Sequence, residues 1–286
     1  MIINLKVIVP SSLANWILLY HINIINKTTR MSRISHKVVS KFLNERNVTC
    51  PTVHQYFRDF LSAILNVDEK YLCYSDNICE ENKQIVKYIL QVERSFTYEL
   101  YHQWSMLLKK NNPLELMINC EITKYLMSED HCTAKQPDFV LHEGQDSIDN
   151  HILVGEVKSD KYYRSSNERN SAVDDIIKLL KILNGRLHQR KKFEQGPGIS
   201  YQYAFFLVYN KQTTEEPFFL ENIFIENIKK SIDDHKLKKT SNRNIFLIEY
   251  VPHEIRIISL NDMLQGNNLY QKITEKRSKV NGDRHR

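Results

Sequence analysis

The sequence predicts an α/β fold in which a mixed central sheet is flanked by helices. Three observations predict it. A long amphipathic helix over Asn82 to Lys110 precedes a strand at Leu114 to Leu126. Two short apolar-alternating runs, Asp138 to His142 and Ile152 to Lys158, are joined by a polar loop as a β-hairpin. A second long helix, Ser171 to Phe193, leads into a strand at Tyr203 to Tyr209. Helix, three strands, helix, strand is the core order, read over residues 83–265.

Along the chain, residues 1–30 stand apart. Leu13 to Ile25 is apolar-rich but interrupted by Asn15, His21 and Asn23, and too short to span a bilayer. A single lysine before this run and no small-residue cleavage site after it argue against a signal peptide. The segment reads either as a mis-assigned upstream start, with normal globular character opening at Met31, or as an ordinary packed N-terminus. Residues 31–82 form a helical extension, with one helix over His36 to Glu45 and another over Thr52 to Leu65 behind Pro51, a residue favoured in a first helical turn.

In the long helix, Ile89, Phe96, Leu100, Trp104 and Leu107 share the spacing of one buried stripe, and Pro113 stops it. In the second, Val173, Ile176, Leu180, Leu183 and Leu187 form the buried side. Between Ile176 and Phe193 there is no acid, while Lys178, Lys181, Arg186, Arg190, Lys191 and Lys192 concentrate positive charge. Lys178, Lys181 and Arg186 are the candidate phosphate contacts, against the alternative of a solvated helix face. Gly196, Pro197 and Gly198 break this helix before the next strand. Phe219 to Ile232 reads as a helix, Asn244 to Val251 and Glu254 to Leu260 as closing strands around Pro252, and residues 266–286 as a basic tail, disordered from Lys272 on.

The hairpin carries the chemistry. If it folds symmetrically about Ser147, positions summing to about 294 face each other, which sets Asp138 opposite Glu156. Lys158, two residues beyond Glu156, shares that face, while Phe139, Leu141 and Val157 point the other way. Two carboxylates about 4 Å apart repel by roughly 4 kcal/mol at an effective dielectric of about 20, and a divalent cation removes that cost. All-oxygen ligation suits a hard ion, Mg²⁺ or Mn²⁺, and the lysine adds a point charge beside it. These parts match metal-assisted hydrolysis of a phosphodiester.

Pro137-Asp138 followed, after seventeen intervening residues, by Glu156-Val157-Lys158 resembles the PD-(D/E)xK nuclease superfamily. Acid-x-Lys alone is a weak signal, since it recurs at Asp68 to Lys70, Glu81 to Lys83 and Asp234 to Lys236; this copy alone follows an apolar strand and the single Pro-Asp pair. The resemblance implies a restriction endonuclease-like αβββαβ core, with Asp138 and Glu156 as metal ligands and Lys158 at the transition state. It also implies an acid from the helix before the sheet. Glu99 is the candidate, because it flanks the apolar stripe, with Glu93 competing.

Length and composition permit this reading without demanding it. The chain has 286 residues, 42% of them hydrophobic, and a formal charge of +6, compatible with a polyanionic partner. Five scattered cysteines at 50, 73, 79, 120 and 132, with no Cys-x-x-Cys pair, suggest neither a disulfide framework nor a zinc ribbon, and make a reducing cytoplasm the default. Seven glycines without a P-loop or dinucleotide pattern exclude those phosphate cradles. His131 with Cys132 is a weak nucleophile pair, and Tyr162, Tyr163 and Arg164 either clamp nucleic acid or pack on their loop. The expected function is a Mg²⁺-dependent nuclease acting on DNA, with no membrane association and a homodimer as the assembly; the alternative is a non-catalytic nucleic-acid-binding or interaction protein on the same fold.

Overall fold

The computed structural model describes residues 34–68, 71, 82–120, 137–143, 151–159, 166–183, 201–209, 217–237, 244–267 and 270–274, all within the unit Ile34–Arg286. Residues 1–30, Arg186, the Tyr162–Arg164 triplet, His131, Cys132 and the tail beyond Thr274 lie outside them, as do the side chain of Glu93 and residues 184–193 of the expected second helix.

Helix α1 (His36–Asn44) buries Val39, Phe42 and Leu43 at helical spacing, and Asn47 with φ 61° turns the chain out of it. Helix α2 (Pro51–Leu65) starts on its proline. Helix α3 spans Asn82–Lys110, with Phe96, Leu100, Trp104 and Leu107 buried as their spacing predicts. After it, Asn112 both donates to the Leu116 carbonyl and accepts from its N–H, while the Tyr56 hydroxyl accepts from the Leu114 N–H. This staple delivers the chain into β1 (Met117–Cys120), shorter at its start than the Leu114 expected because Leu114 to Leu116 are used in the turn.

Seven strands among the described residues form one sheet in sequential order: β1, β2 (Phe139–His142), β3 (His151–Ser159), β4 (Tyr203–Tyr209), β5 (Ile245–Val251), β6 (Glu254–Ser259) and β7 (Gln271–Thr274). β1, β2 and β3 are antiparallel neighbours; β3, β4 and β5 run parallel; β6 and β7 return antiparallel. Parallel neighbours need crossover segments, and these are α4 (Ser166–Leu183) between β3 and β4, and a 3₁₀ turn (Phe218–Leu220) with α5 (Asn222–Asp234) between β4 and β5. Helix α4 begins five residues before the expected Ser171. A short helix α6 (Leu260–Leu264), capped by Ser259 accepting from the Asp262 N–H, links β6 to β7. β7 corrects the expectation of disorder from Lys272: Ile273 is buried opposite Ile255, and Lys272 lies opposite Arg256.

The sheet has helices on both faces. On one, α4 and α5 pack Ile176, Leu180, Phe224 and Ile228 against Val154, Phe206 and Leu247. On the other, α1 to α3 set Phe42 and Phe57 against Phe246, Phe60 and Trp104 against Phe205, and Phe96 in a 4.0 Å stack on Tyr209. The N-terminal helices are therefore a layer of the core and not an appendage. No helix among the described residues is long and apolar enough to cross a membrane.

Gly155 in the middle of β3 is forced by this packing. The Phe205 ring lies over it so closely that a Cβ would overlap the ring, and Phe205 is itself fully buried between Phe60, Trp104 and Phe139. Gly155→Ala is expected to destabilise the fold by about 1–3 kcal/mol, the usual cost of overpacking a closed core, read as a lower denaturant midpoint at unchanged slope. An unchanged midpoint would mean that the Phe205 ring moves aside freely.

Candidate metal and phosphate site

The β2–β3 register builds the site. Phe139 pairs with Gly155, Val140 with Val154 and Leu141 with Leu153, the symmetry expected about Ser147; the register slips by one at His142, which pairs with His151. One step beyond the first pair, Asp138 stands opposite Glu156. Glu156 is in register with Phe206, whose ring belongs to the α4 side of the core, so Glu156 projects beneath α4 and Lys158 follows on the same face. Phe139 and Val157 turn to the other face, as the alternation predicts.

Each group has a defined partner. Asp138 Oδ2 accepts the Val157 N–H at 2.7 Å, which anchors the carboxylate to β3. Glu156, 2% exposed, accepts a charge-assisted hydrogen bond from Lys178 of α4. Lys158 Nζ lies 3.8 Å from Oδ2 of Asp175, also on α4 and 3% exposed. Three carboxylates and two ammonium groups thus converge between β3 and α4, one negative charge in excess when all are ionised.

Burial governs their protonation. Desolvation is the largest influence on Asp138 and raises its pKa, while Lys158, the Val157 N–H and Lys178 pull it back. Burial pushes Glu156 up to about 8, with Lys178 opposing and the Asp138 and Asp175 charges reinforcing. The donor set is oxygen only, and two carboxylates are what a Mg²⁺ ion needs when it keeps several waters and takes remaining ligands from a phosphate. On that ground Asp138 and Glu156 fit a hard divalent ion.

The other expected residues are placed differently. Glu99 is not brought to Asp138 and Glu156. It sits on α3, which packs on the opposite face of the sheet, and it is engaged by Gln103 Nε2 at 2.7 Å and lies 3.5 Å from His102 Nδ1. Among the described residues no group of three His, Cys, Asp or Glu side chains is arranged to hold an ion. Flanking the apolar stripe was insufficient to place Glu99 because the stripe packs on the face of the sheet opposite the hairpin acids. Lys178 does not face outward as a phosphate contact; it is turned toward the sheet and paired with Glu156. Lys181, one turn on, is partly exposed.

Asp175 was not legible as a site residue from its neighbours' charge, since Asp174 beside it is an equivalent acid in composition. Its signal is positional: it lies four residues before Leu179 and seven before Ile182, both buried, so it falls on the apolar stripe, whereas Asp174 is exposed. Comparison of the chain with protein-family models, with curated proteins and with solved structures gives no match.

The raised Glu156 pKa has a signed consequence. Between about 4.5 and 8 the folded ion-free protein holds this proton more tightly than the unfolded chain, so stability falls as pH rises through that window, by at most about 1.4 kcal/mol per unit from this group. Asp138 and Glu249, also raised by burial, act in the same direction. In EDTA, urea midpoints measured across the window are expected to decline with pH, and Glu156→Gln to flatten the decline. A midpoint that climbs through the window in the wild-type protein would refute the protonation assigned to the buried acids.

Proposed function

We propose that the protein is a divalent-metal-dependent nuclease that hydrolyses phosphodiester bonds, with DNA as the first substrate to test. The observation that carries this reading is the hairpin register, which sets Asp138 opposite Glu156 with Lys158 on the same face beneath α4. The order α3, β1, β2, β3, α4, β4 supports it further, because it is the αβββαβ order that the resemblance to PD-(D/E)xK nucleases implies.

In this reading Asp138 and Glu156 hold a Mg²⁺ or Mn²⁺ ion. When bound, the ion supplies Lewis-acid charge at the scissile phosphate and promotes ionisation of the attacking water. The chain supplies the rest. The Val157 N–H fixes the Asp138 carboxylate, so the ligand is oriented before the ion arrives. Lys158, held by Asp175, places an ammonium where charge builds up on the pentacovalent phosphate. The walls formed by β3 and α4 lower the local dielectric and strengthen each of these interactions.

A second reading has one observation in its favour: among the described residues no group of three His, Cys, Asp or Glu side chains is arranged to hold an ion, and both Glu156 and Lys158 already have ionic partners. A nucleic-acid-binding protein without turnover would have the same features. Incubation of purified protein with duplex DNA, single-stranded DNA and RNA, in Mg²⁺, Mn²⁺ or EDTA, separates the two. The nuclease reading requires cleavage that EDTA abolishes; binding without cleavage in every metal favours the alternative.

Asp138→Asn and Glu156→Gln, which keep shape and remove charge, are each expected to abolish metal-dependent cleavage while leaving a cooperative melting transition. Lys158→Met is expected to keep ion binding and lose about a hundredfold or more in turnover. Wild-type cleavage rates in both carboxamide variants would rule out the ligand assignment. Lost ion affinity in Lys158→Met would instead make Lys158 a structural tether of the ligands.

A further inference from the structure

The two lysines of the site are not equivalent. On β3, Glu156 and Lys158 are two residues apart, about 6.6 Å along a strand; on α4, Asp175 and Lys178 are three apart, about 5–6 Å on a helix face. Strand and helix are cross-paired, Glu156 with Lys178 and Lys158 with Asp175. Lys158 lies 3.8 Å from an acid outside the pair that faces across the hairpin, and its charge also acts on Asp138. Lys178 is held by a member of that pair, so a cation taking up Glu156 competes with it directly.

The charge balance gives the competition a direction. With the ion bound and all five groups ionised, three carboxylates, two ammonium groups and the divalent ion sum to one excess positive charge. An ammonium on a flexible four-carbon stem is then repelled by the ion and attracted by the single negative charge of a phosphodiester. Its side chain, 14% exposed, already reaches the solvent boundary. Two acids, Asp174 and Asp175, lie one helical turn before it; Asp174 is exposed on the outer side of the helix and Asp175 is engaged by Lys158.

We propose that Lys178 is an exchangeable counter-ion: its ammonium holds Glu156 when no divalent ion is bound, and is released to a backbone phosphate of the nucleic acid when Asp138 and Glu156 take up the ion. This rests on the metal-dependent reading of the site and assigns to it a coupling between ion and substrate. Lys178 opposes the ion in the absence of substrate and contributes a phosphate contact only in its presence.

The test uses the full chain and Ca²⁺, which allows binding to be followed without turnover. Calorimetric titration compares the wild-type protein with Lys178→Met and Lys178→Gln, two uncharged replacements of different polarity, after a melting curve has established that each is folded. Both variants are expected to bind Ca²⁺ at least about fivefold more tightly, the opposite sign from a residue that merely props up the site. Duplex affinity measured against salt supplies the second readout: in Ca²⁺ the slope is expected to fall by about 0.9, one phosphate contact, and in EDTA to stay unchanged. Weaker or equal Ca²⁺ affinity in the folded variants overturns the counter-ion role while leaving the metal site standing. So does a salt slope that is the same as wild type in Ca²⁺. No heat of Ca²⁺ binding to the wild-type protein overturns both this inference and the metal-dependent reading, and failure of both variants to fold shows that Lys178 is a structural tether and overturns the exchange alone.

Discussion

The pairing of Phe139 with Gly155 sets the geometry on which the rest of the molecule depends. Because side chains alternate along a strand, this one pair assigns every neighbour to a face: Asp138, Glu156 and Lys158 beneath α4, and Phe139, Val157 and Leu153 toward α1 to α3. A slip of one residue would bury the acids among Phe60, Trp104 and Phe205 and turn the apolar set toward Asp175 and Lys178 of α4. Gly155 makes the pairing possible, because the space where its side chain would stand is filled by the Phe205 ring. The aromatic layer on one face and the charged cluster on the other are consequences of the same close approach.

The sheet carries a second set of paired charges, centred on the buried Glu249 and Arg256, and the contrast is instructive. Lys158 is in register with Val208, Val208 with Glu249, Glu249 with Arg256 and Arg256 with Lys272, a row across five strands. Arg256, 2% exposed, donates to Glu249 at 3.2 Å and to Glu254 at 2.5 Å, and Lys272 lies 3.8 Å from Glu254. Two acids meet two bases there, and the set is neutral. Such a network keeps β5, β6 and β7 in one register, since breaking it leaves an uncompensated buried charge. Around Glu156 the balance is not closed. Three acids face two lysines, and burial raises Glu156 to about 8. Below about pH 8 the proton that Glu156 retains offsets the surplus acid, and strongly perturbed groups of this kind concentrate at functional sites.

The helical layer over the aromatic face shows how distant parts of the chain share one core. Phe42, Phe57 and Phe60 come from the N-terminal helices, yet they pack on Phe246 and Phe205 of β5 and β4. Tyr56 meanwhile accepts from the Leu114 N–H and donates to Asn112, steering the entry into β1. Residues far from the hairpin therefore help to hold the strand that borders it.

By itself the sequence determined the periodic elements and the hairpin chemistry. The bounds of α3 and β4, the buried stripe through Phe96, Leu100 and Trp104, and the facing of Asp138 and Glu156 follow from periods of 3.6 and 2 and from a symmetric turn, which are local properties of the chain. Only the tertiary structure decided which side chains complete the cluster. Asp175 and Lys178 reach the acids because α4 crosses over β3, and Glu99 does not because α3 lies on the other face; no spacing within a helix reveals which side of a sheet that helix will cover. The strand at Gln271–Thr274 was illegible for the same kind of reason, since its polar sequence is held by pairing with β6 and by one buried isoleucine, Ile273, whose partner Ile255 is supplied from elsewhere in the chain.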